Sequence, residues 1–178
     1  MRKFRQMNEG FDFVFEGETL DEQVTRLKQW GQTNQTLVPI VRLGVGAEKA
    51  EWGLPEGMPE TTKLEEDTPD GLGATSIQME WRRIKQFTDP NSNMKNLPTW
   101  KQEMNWLQIL EGVHPEEAKI LTAVKDGTLL GLYPKLEKLM EPLGITEYNK
   151  PKKTRKTRKT KKTNITKNTK KTTQICQR

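Results

Sequence analysis

Residues 99–127 read TWKQEMNWLQILEGVHPEEAKILTAVKDG and contain two amphipathic helix patterns joined at a corner. The first pattern begins with a Thr-x-x-Gln capping box at Thr99 and ends at Gly112. Its apolar residues recur at helical spacing, so we expect one stripe to face the core: Trp100, Met104, Leu107 and Leu110. The second pattern has Pro115 in its first turn, followed by acidic residues that favour a helix N-terminus. The stretch therefore predicts a helical hairpin.

The same periodicity recurs along much of the chain. Further helix starts are indicated at four places: Thr19, Thr36, Thr75 and Pro134. Residues 52–75 instead are rich in proline, glycine and acid, which predicts a long irregular loop whose Trp52, Leu54 and Met58 pin its first part to the core. The sequence thus predicts an all-α protein, with a compact body of five or six short amphipathic helices at residues 19–148.

Residues 1–18 carry an unusual concentration of phenylalanine. Phe11, Phe13 and Phe15 alternate with polar or smaller residues in FDFVFEG, a period of two that is typical of extended chain. No second strand is evident nearby. We therefore expect a Phe-rich extended arm that docks onto the helical body.

The charges of the chain are strongly segregated. Thirteen of the 30 Lys and Arg residues lie in residues 150–178, which contain no Asp or Glu, whereas residues 1–149 carry 17 bases against 24 acids, a net charge of −7. The run has threonine at every third residue from Thr154 and little apolar content, so we expect residues 149–178 to form a disordered tail.

Nucleic acid is the partner that such a basic run favours, since Lys and Arg displace counterions from phosphates without reading base sequence. Eight bases are the expected contacts: Lys152, Lys153, Arg155, Lys156, Arg158, Lys159, Lys161 and Lys162. Two alternatives remain open. In the first alternative, the tail only aids solubility. In the second, the tail pairs with the acidic stretch of its own body at Glu60, Glu65, Glu66, Asp67 and Asp70.

Residues that would carry catalysis are sparse. The chain has one histidine and one cysteine, with no phosphate-binding loop and no metal-ligand spacing around His114. His114 is instead expected to cap the helix that begins at Pro115. The sequence therefore predicts a non-enzymatic protein without cofactor or metal. It also contains no apolar stretch long enough to cross a membrane, so we expect no membrane partner.

Trp106 and Ile109 lie at the edge of the predicted stripe on the helix from Thr99. Either this helix is buried over a broad arc, which we favour, or the two residues form a patch that binds a protein partner.

Three segments together resemble a known family. They are WGLPEG at residues 52–57, LQILEGVHPEEA at residues 107–118, and the Lys125–Asp126 turn. The combination resembles a family of small helical proteins, with no assigned activity, that T-even-like tailed phages encode, cyanophages among them. The likeness covers about residues 19–140 and leaves out the arm and the tail. It implies a setting in the cytoplasm of an infected bacterium or in the virion.

These observations lead to one expected function and two alternatives. The expected function is a phage accessory protein whose tail binds nucleic acid through phosphates while its acidic body docks a phage or host protein. One alternative is a virion structural or head-associated protein that contacts packaged DNA or the capsid. The other is a regulator that binds host machinery through the helical body.

Overall fold

All regular structure is helical in the computed structural model, which describes residues 3–64, 69 and 72–149. Seven α-helices follow one another: α1 (Met7–Phe15), α2 (Leu20–Thr33), α3 (Leu37–Gly44), α4 (Ile77–Thr88), α5 (Thr99–Gly112), α6 (Pro115–Lys125) and α7 (Leu129–Leu132). Two 3₁₀ helices, Asn93–Asn96 and Pro134–Leu139, complete the described elements. The prediction of an all-α body is confirmed.

Helix α6 is the centre of the fold. It packs against α1, α3, α5 and α7, and four of its apolar side chains are almost completely buried: Ala118, Ile120, Leu121 and Val124. These side chains point to more than one side of the helix, which is the pattern of a helix surrounded by others rather than of one lying on a surface. The corner predicted between α5 and α6 is also present, with His114 as the N-cap of α6.

The prediction of an extended N-terminal arm is wrong, because residues Met7–Phe15 form helix α1. Met7, Phe11 and Val14 are 2%, 0% and 0% exposed, and they lie on one helix face. Helix α1 packs against α2, where a Cβ on Gly10 would stand only 2.1 Å from the Trp30 ring. Glycine at position 10 therefore lets the tryptophan of α2 lie directly on the backbone of α1.

Glu117 joins three helix N-termini in the core. It lies in the first turn of α6, and its side chain is fully buried. The backbone N–H of Met7 donates to Oε1 at 2.7 Å, and the backbone N–H of Ile77 donates to Oε2 at 3.1 Å. These are the first residues of α1 and α4, whose amide groups have no partner within their own helices. Glu117 was predicted only as a charge in the first turn, so its buried role is a finding of the structure.

The other predicted helices are mostly present. Helix α2 begins after Thr19, whose Oγ1 accepts from the Glu22 N–H at 3.2 Å, and α3 begins after Thr36. Helix α4 buries Ile77, Ile84 and Phe87 completely. The segment from Pro134 differs, since it forms a 3₁₀ helix preceded by the single turn α7.

Candidate docking site

The loop after α3 is held against the core and against the end of α6. Trp52 is 8% exposed, and its ring meets the Trp106 ring edge to face at 5.5 Å. Farther along, Lys125 Nζ donates to the carbonyl of Pro55 at 2.6 Å. The Gly57 N–H donates to Asp126 Oδ2 at 3.0 Å. The φ angle of Gly57 is +77°, in the left-handed region that favours glycine. The Trp-Gly-Leu-Pro-Glu-Gly segment and the Lys-Asp turn are therefore in direct contact.

This loop and helix α5 enclose an apolar groove of about 230 Å³. The groove is lined by side chains of both elements: Leu54, Pro55, Gly57, Pro59, Thr61, Trp100, Glu103, Met104, Trp106 and Leu107. Trp100 and Met104 are 58% and 54% exposed, which is unusual for such large apolar side chains in the first turns of a helix that is otherwise well packed. Hereafter "the docking groove" denotes this site.

Acidic side chains surround the docking groove more densely than basic ones. Glu103 lines it, and Glu56 and Glu60 are exposed on the loop between lining residues. Among the basic residues, Lys101 Nζ lies 5.3 Å from the centre of the Trp100 ring. This contact shows that the Trp100 ring accommodates a cation. The acidic stretch from Glu65 lies outside the described residues.

The alternative that Trp106 and Ile109 form a partner-binding patch is wrong, because both side chains are buried, as the favoured alternative expected. Both side chains are 1% exposed, and Trp106 packs edge to face against Phe87 at 5.4 Å as well as against Trp52. The face of α5 that meets the core consists of Gln102, Trp106, Ile109 and Leu110. Helix α5 is thus turned so that Trp100 and Met104, which were predicted to face inward, lie at the surface.

The start of α5 also differs from the prediction. The helix begins at Thr99 with Pro98 as its N-cap, and the Gln102 side chain donates to the carbonyl of Leu97 at 2.8 Å. The predicted capping box between Thr99 and Gln102 is therefore absent. Gln102 is 8% exposed, and this bond satisfies the Nε2 donor of its buried amide.

The eight bases predicted to bind nucleic acid, Lys152 to Lys162, lie outside the described residues. The last described residue is Asn149, and its backbone N–H donates to the carbonyl of Val45 at 2.9 Å. This bond fixes the point on the body from which residues 150–178 continue.

No catalytic arrangement is evident around the titratable groups of the described ranges. His114 Nδ1 accepts from the Glu116 N–H at 3.2 Å, which is the capping role predicted for it. Residues 3–64, 69 and 72–149 contain no cluster of three or more His, Cys, Asp or Glu side chains that would hold a metal ion. In the same residues, no helix is both long enough and apolar enough to span a bilayer.

Burial raises the pKa of Glu117 from 4.5 to about 7. The cause is desolvation of the carboxylate in the core, and the negative charge of Glu9 adds to it. The N–H groups of Met7 and Ile77 act in the opposite direction, because they favour the ionised form. Both bonds are made within the core rather than in a cleft, so this carboxyl group serves the fold.

The raised pKa of Glu117 predicts that the protein loses stability as the pH rises. The folded state binds the proton of the Glu117 carboxyl group more tightly than the unfolded state does. The contribution of this proton to the free energy of unfolding is therefore complete below pH 4.5 and is lost as the pH passes about 7. Between about pH 4 and pH 8, we expect the free energy of unfolding to fall by about 3 kcal/mol relative to a Glu117→Gln variant. Urea unfolding of both proteins at several pH values measures this difference, and a difference that is constant with pH would contradict it.

Comparison of the chain with protein-family models, with curated proteins and with solved structures finds no match in any of the three.

Proposed function

We propose that this protein is a non-enzymatic accessory protein that binds nucleic acid through residues 150–178 and a protein partner through its helical body. Its setting would be a phage-infected bacterium or the virion, as the resemblance of residues 52–57, 107–118 and 125–126 implies. The observation that carries the proposal is the segregation of charge, with 13 bases and no acid in the last 29 residues and a net charge of −7 on the rest.

Several features of the segment favour phosphate contacts over base recognition. Residues 150–178 contain no aromatic side chain, so no aromatic ring of this segment can stack on bases. The bases are spaced closely enough for several to bind consecutive phosphates, with threonine hydroxyls between them as additional donors. The expected binding is therefore tight at low salt, weak at high salt and independent of sequence.

The docking groove supports the second half of the proposal. It presents the exposed Trp100 and Met104 beside Glu103, with Glu56 and Glu60 nearby. Such a site fits a peptide segment that offers apolar or long aliphatic side chains together with positive charge. The acidic body repels nucleic acid, so the two binding activities would occupy separate parts of the chain.

Replacing all eight bases from Lys152 to Lys162 with glutamine is expected to abolish most nucleic-acid binding. With roughly 6 to 10 phosphate contacts, the affinity of the wild-type protein should fall by about 10³ to 10⁵ between 50 and 200 mM salt, and the variant should lose most of this dependence. Fluorescence anisotropy of a labelled duplex and a labelled single strand measures both effects.

The control variant has the same net charge but keeps the tail. It replaces eight exposed bases of the body with glutamine: Lys28, Arg42, Lys49, Lys63, Arg82, Lys85, Lys135 and Lys138. We expect this variant to lose much less affinity than the tail variant, since it keeps every base of the tail and only adds to the repulsion by the body. Equal losses in both variants would show that only overall charge matters, and absence of binding by the wild-type protein would refute the nucleic-acid function.

A further inference from the structure

We propose that residues 150–178 bind in the docking groove of their own chain when no nucleic acid is present, an inference that rests on the proposed nucleic-acid function. The same bases would then serve two sites. Nucleic acid would withdraw the tail from the docking groove and free that groove for a protein partner.

The tail begins close enough to reach the docking groove. Asn149 is bonded to Val45, which precedes Trp52 by seven residues, so the tail leaves the body within about 25 Å of Trp52. Trp52 is itself in contact with Trp106, a lining residue of the docking groove. Arg158, in the middle of the eight bases, follows Asn149 by nine residues and can extend about 30 Å from it.

The chemistry of the tail fits that of the docking groove. Lys and Arg carry long aliphatic stems that pack on apolar surface while their charged ends stay near solvent. Trp100 and Met104 offer such surface, Glu103 offers a countercharge, and the indole ring attracts cations.

Tethering favours this intramolecular occupant over a separate basic peptide. A short flexible connection gives a local concentration of the tail on the order of millimolar, so even a weak contact is populated. If the docking groove holds the tail half of the time, the apparent affinity for nucleic acid is reduced about twofold.

A spin label in the middle of the eight bases tests this contact in the full chain. The protein carries Cys176→Ser and Thr157→Cys with a nitroxide at position 157, and its methionine methyl groups are ¹³C-labelled. At 50 mM salt we expect the Met104 methyl signal to lose intensity to the nitroxide. Met79 is the matched control, because it is a helical methionine with 70% exposure that does not line the docking groove.

Addition of saturating duplex DNA is expected to restore the Met104 signal. Equal effects on Met104 and Met79, or none on either, would overturn the proposal, as would a Met104 effect that persists with duplex bound. A mixture of spin-labelled chains and separately ¹³C-labelled chains tests whether the tail of a second copy occupies the docking groove. Loss of the Met104 signal in that mixture would show that it does and would overturn the intramolecular contact. If the duplex does not bind, the proposed function fails, whereas a Met104 effect without duplex would still show the contact.

A double variant with Trp100→Ala and Glu103→Gln gives an independent readout. Because it weakens the competing site, we expect it to bind the duplex about twofold more tightly than the wild-type protein at 50 mM salt. Met79→Ala should bind as the wild-type protein does, and equal affinities of all three proteins would contradict the competition.

Discussion

Replacing Trp106 with alanine is expected to lower the free energy of unfolding by about 3 to 5 kcal/mol, whereas Trp100→Ala on the same helix should change it by less than about 0.5 kcal/mol. Trp106 is 1% exposed and lies between the rings of Trp52 and Phe87, at 5.5 Å and 5.4 Å. Its removal leaves a cavity that these neighbours can fill only in part. Trp100 is 58% exposed and loses little contact area with the core.

Equilibrium unfolding in urea, followed by circular dichroism, measures both changes. Trp106→Phe is a useful third variant because it keeps an aromatic ring between Trp52 and Phe87, and we expect a loss smaller than that of the alanine variant. The orientation of α5 would be wrong if Trp100→Ala destabilised the protein as much as Trp106→Ala. A partner-binding role for Trp106 would instead predict a stable variant with impaired binding.

The second large effect is expected at Glu117. Glu117→Ala removes the acceptor of two buried N–H groups, those of Met7 and Ile77, and an unsatisfied buried donor costs about 1 to 3 kcal/mol. Part of this loss is offset, because the variant no longer has to ionise a desolvated carboxyl group near neutral pH. We expect a net decrease of about 3 kcal/mol at pH 5, where this offset is small, and a smaller decrease at pH 7.

Glu116→Ala is the matched control for this experiment. Glu116 occupies the same first turn of α6, but its side chain is 47% exposed and pairs with Lys119 on the surface. Such a pair contributes at most about 0.5 kcal/mol. Thermal and urea unfolding of the two variants should separate them clearly, and similar stabilities would mean that the contacts of Glu117 do not hold α1 and α4.

Helix α1 shows how local periodicity misleads where two periods coincide. The spacing of Phe11, Phe13 and Phe15 fits an extended chain, yet Phe11 and Phe15 are also four residues apart and therefore neighbours on a helix. Met7 and Val14 complete the helical stripe, but Met7 lies outside the FDFVFEG segment at residues 11–17, whose alternation predicts extended chain. A window starting at Met7 would have favoured the helix.

The orientation of α5 has a different cause. Apolar residues at 100, 104, 106, 107, 109 and 110 cover too wide an arc for periodicity to select one face. The selection is made by residues remote in sequence, since Trp52 and Phe87 form the contacts that bury Trp106. The helical body and the His114 cap were predictable from local signals, but the docking groove was not, because it depends on where the loop after Trp52 lies.

The bond between the Met7 N–H and Glu117 also constrains how the protein is made. Its two residues are 110 positions apart, so at a synthesis rate of roughly 5 to 20 residues per second the acceptor is produced about 5 to 20 s after the donor. During that interval the apolar face of the first helix has no central helix to cover it. Part of the apolar face of Met7, Phe11 and Val14 therefore stays uncovered in the nascent chain during this interval, and these side chains are where a ribosome-associated chaperone would be expected to bind.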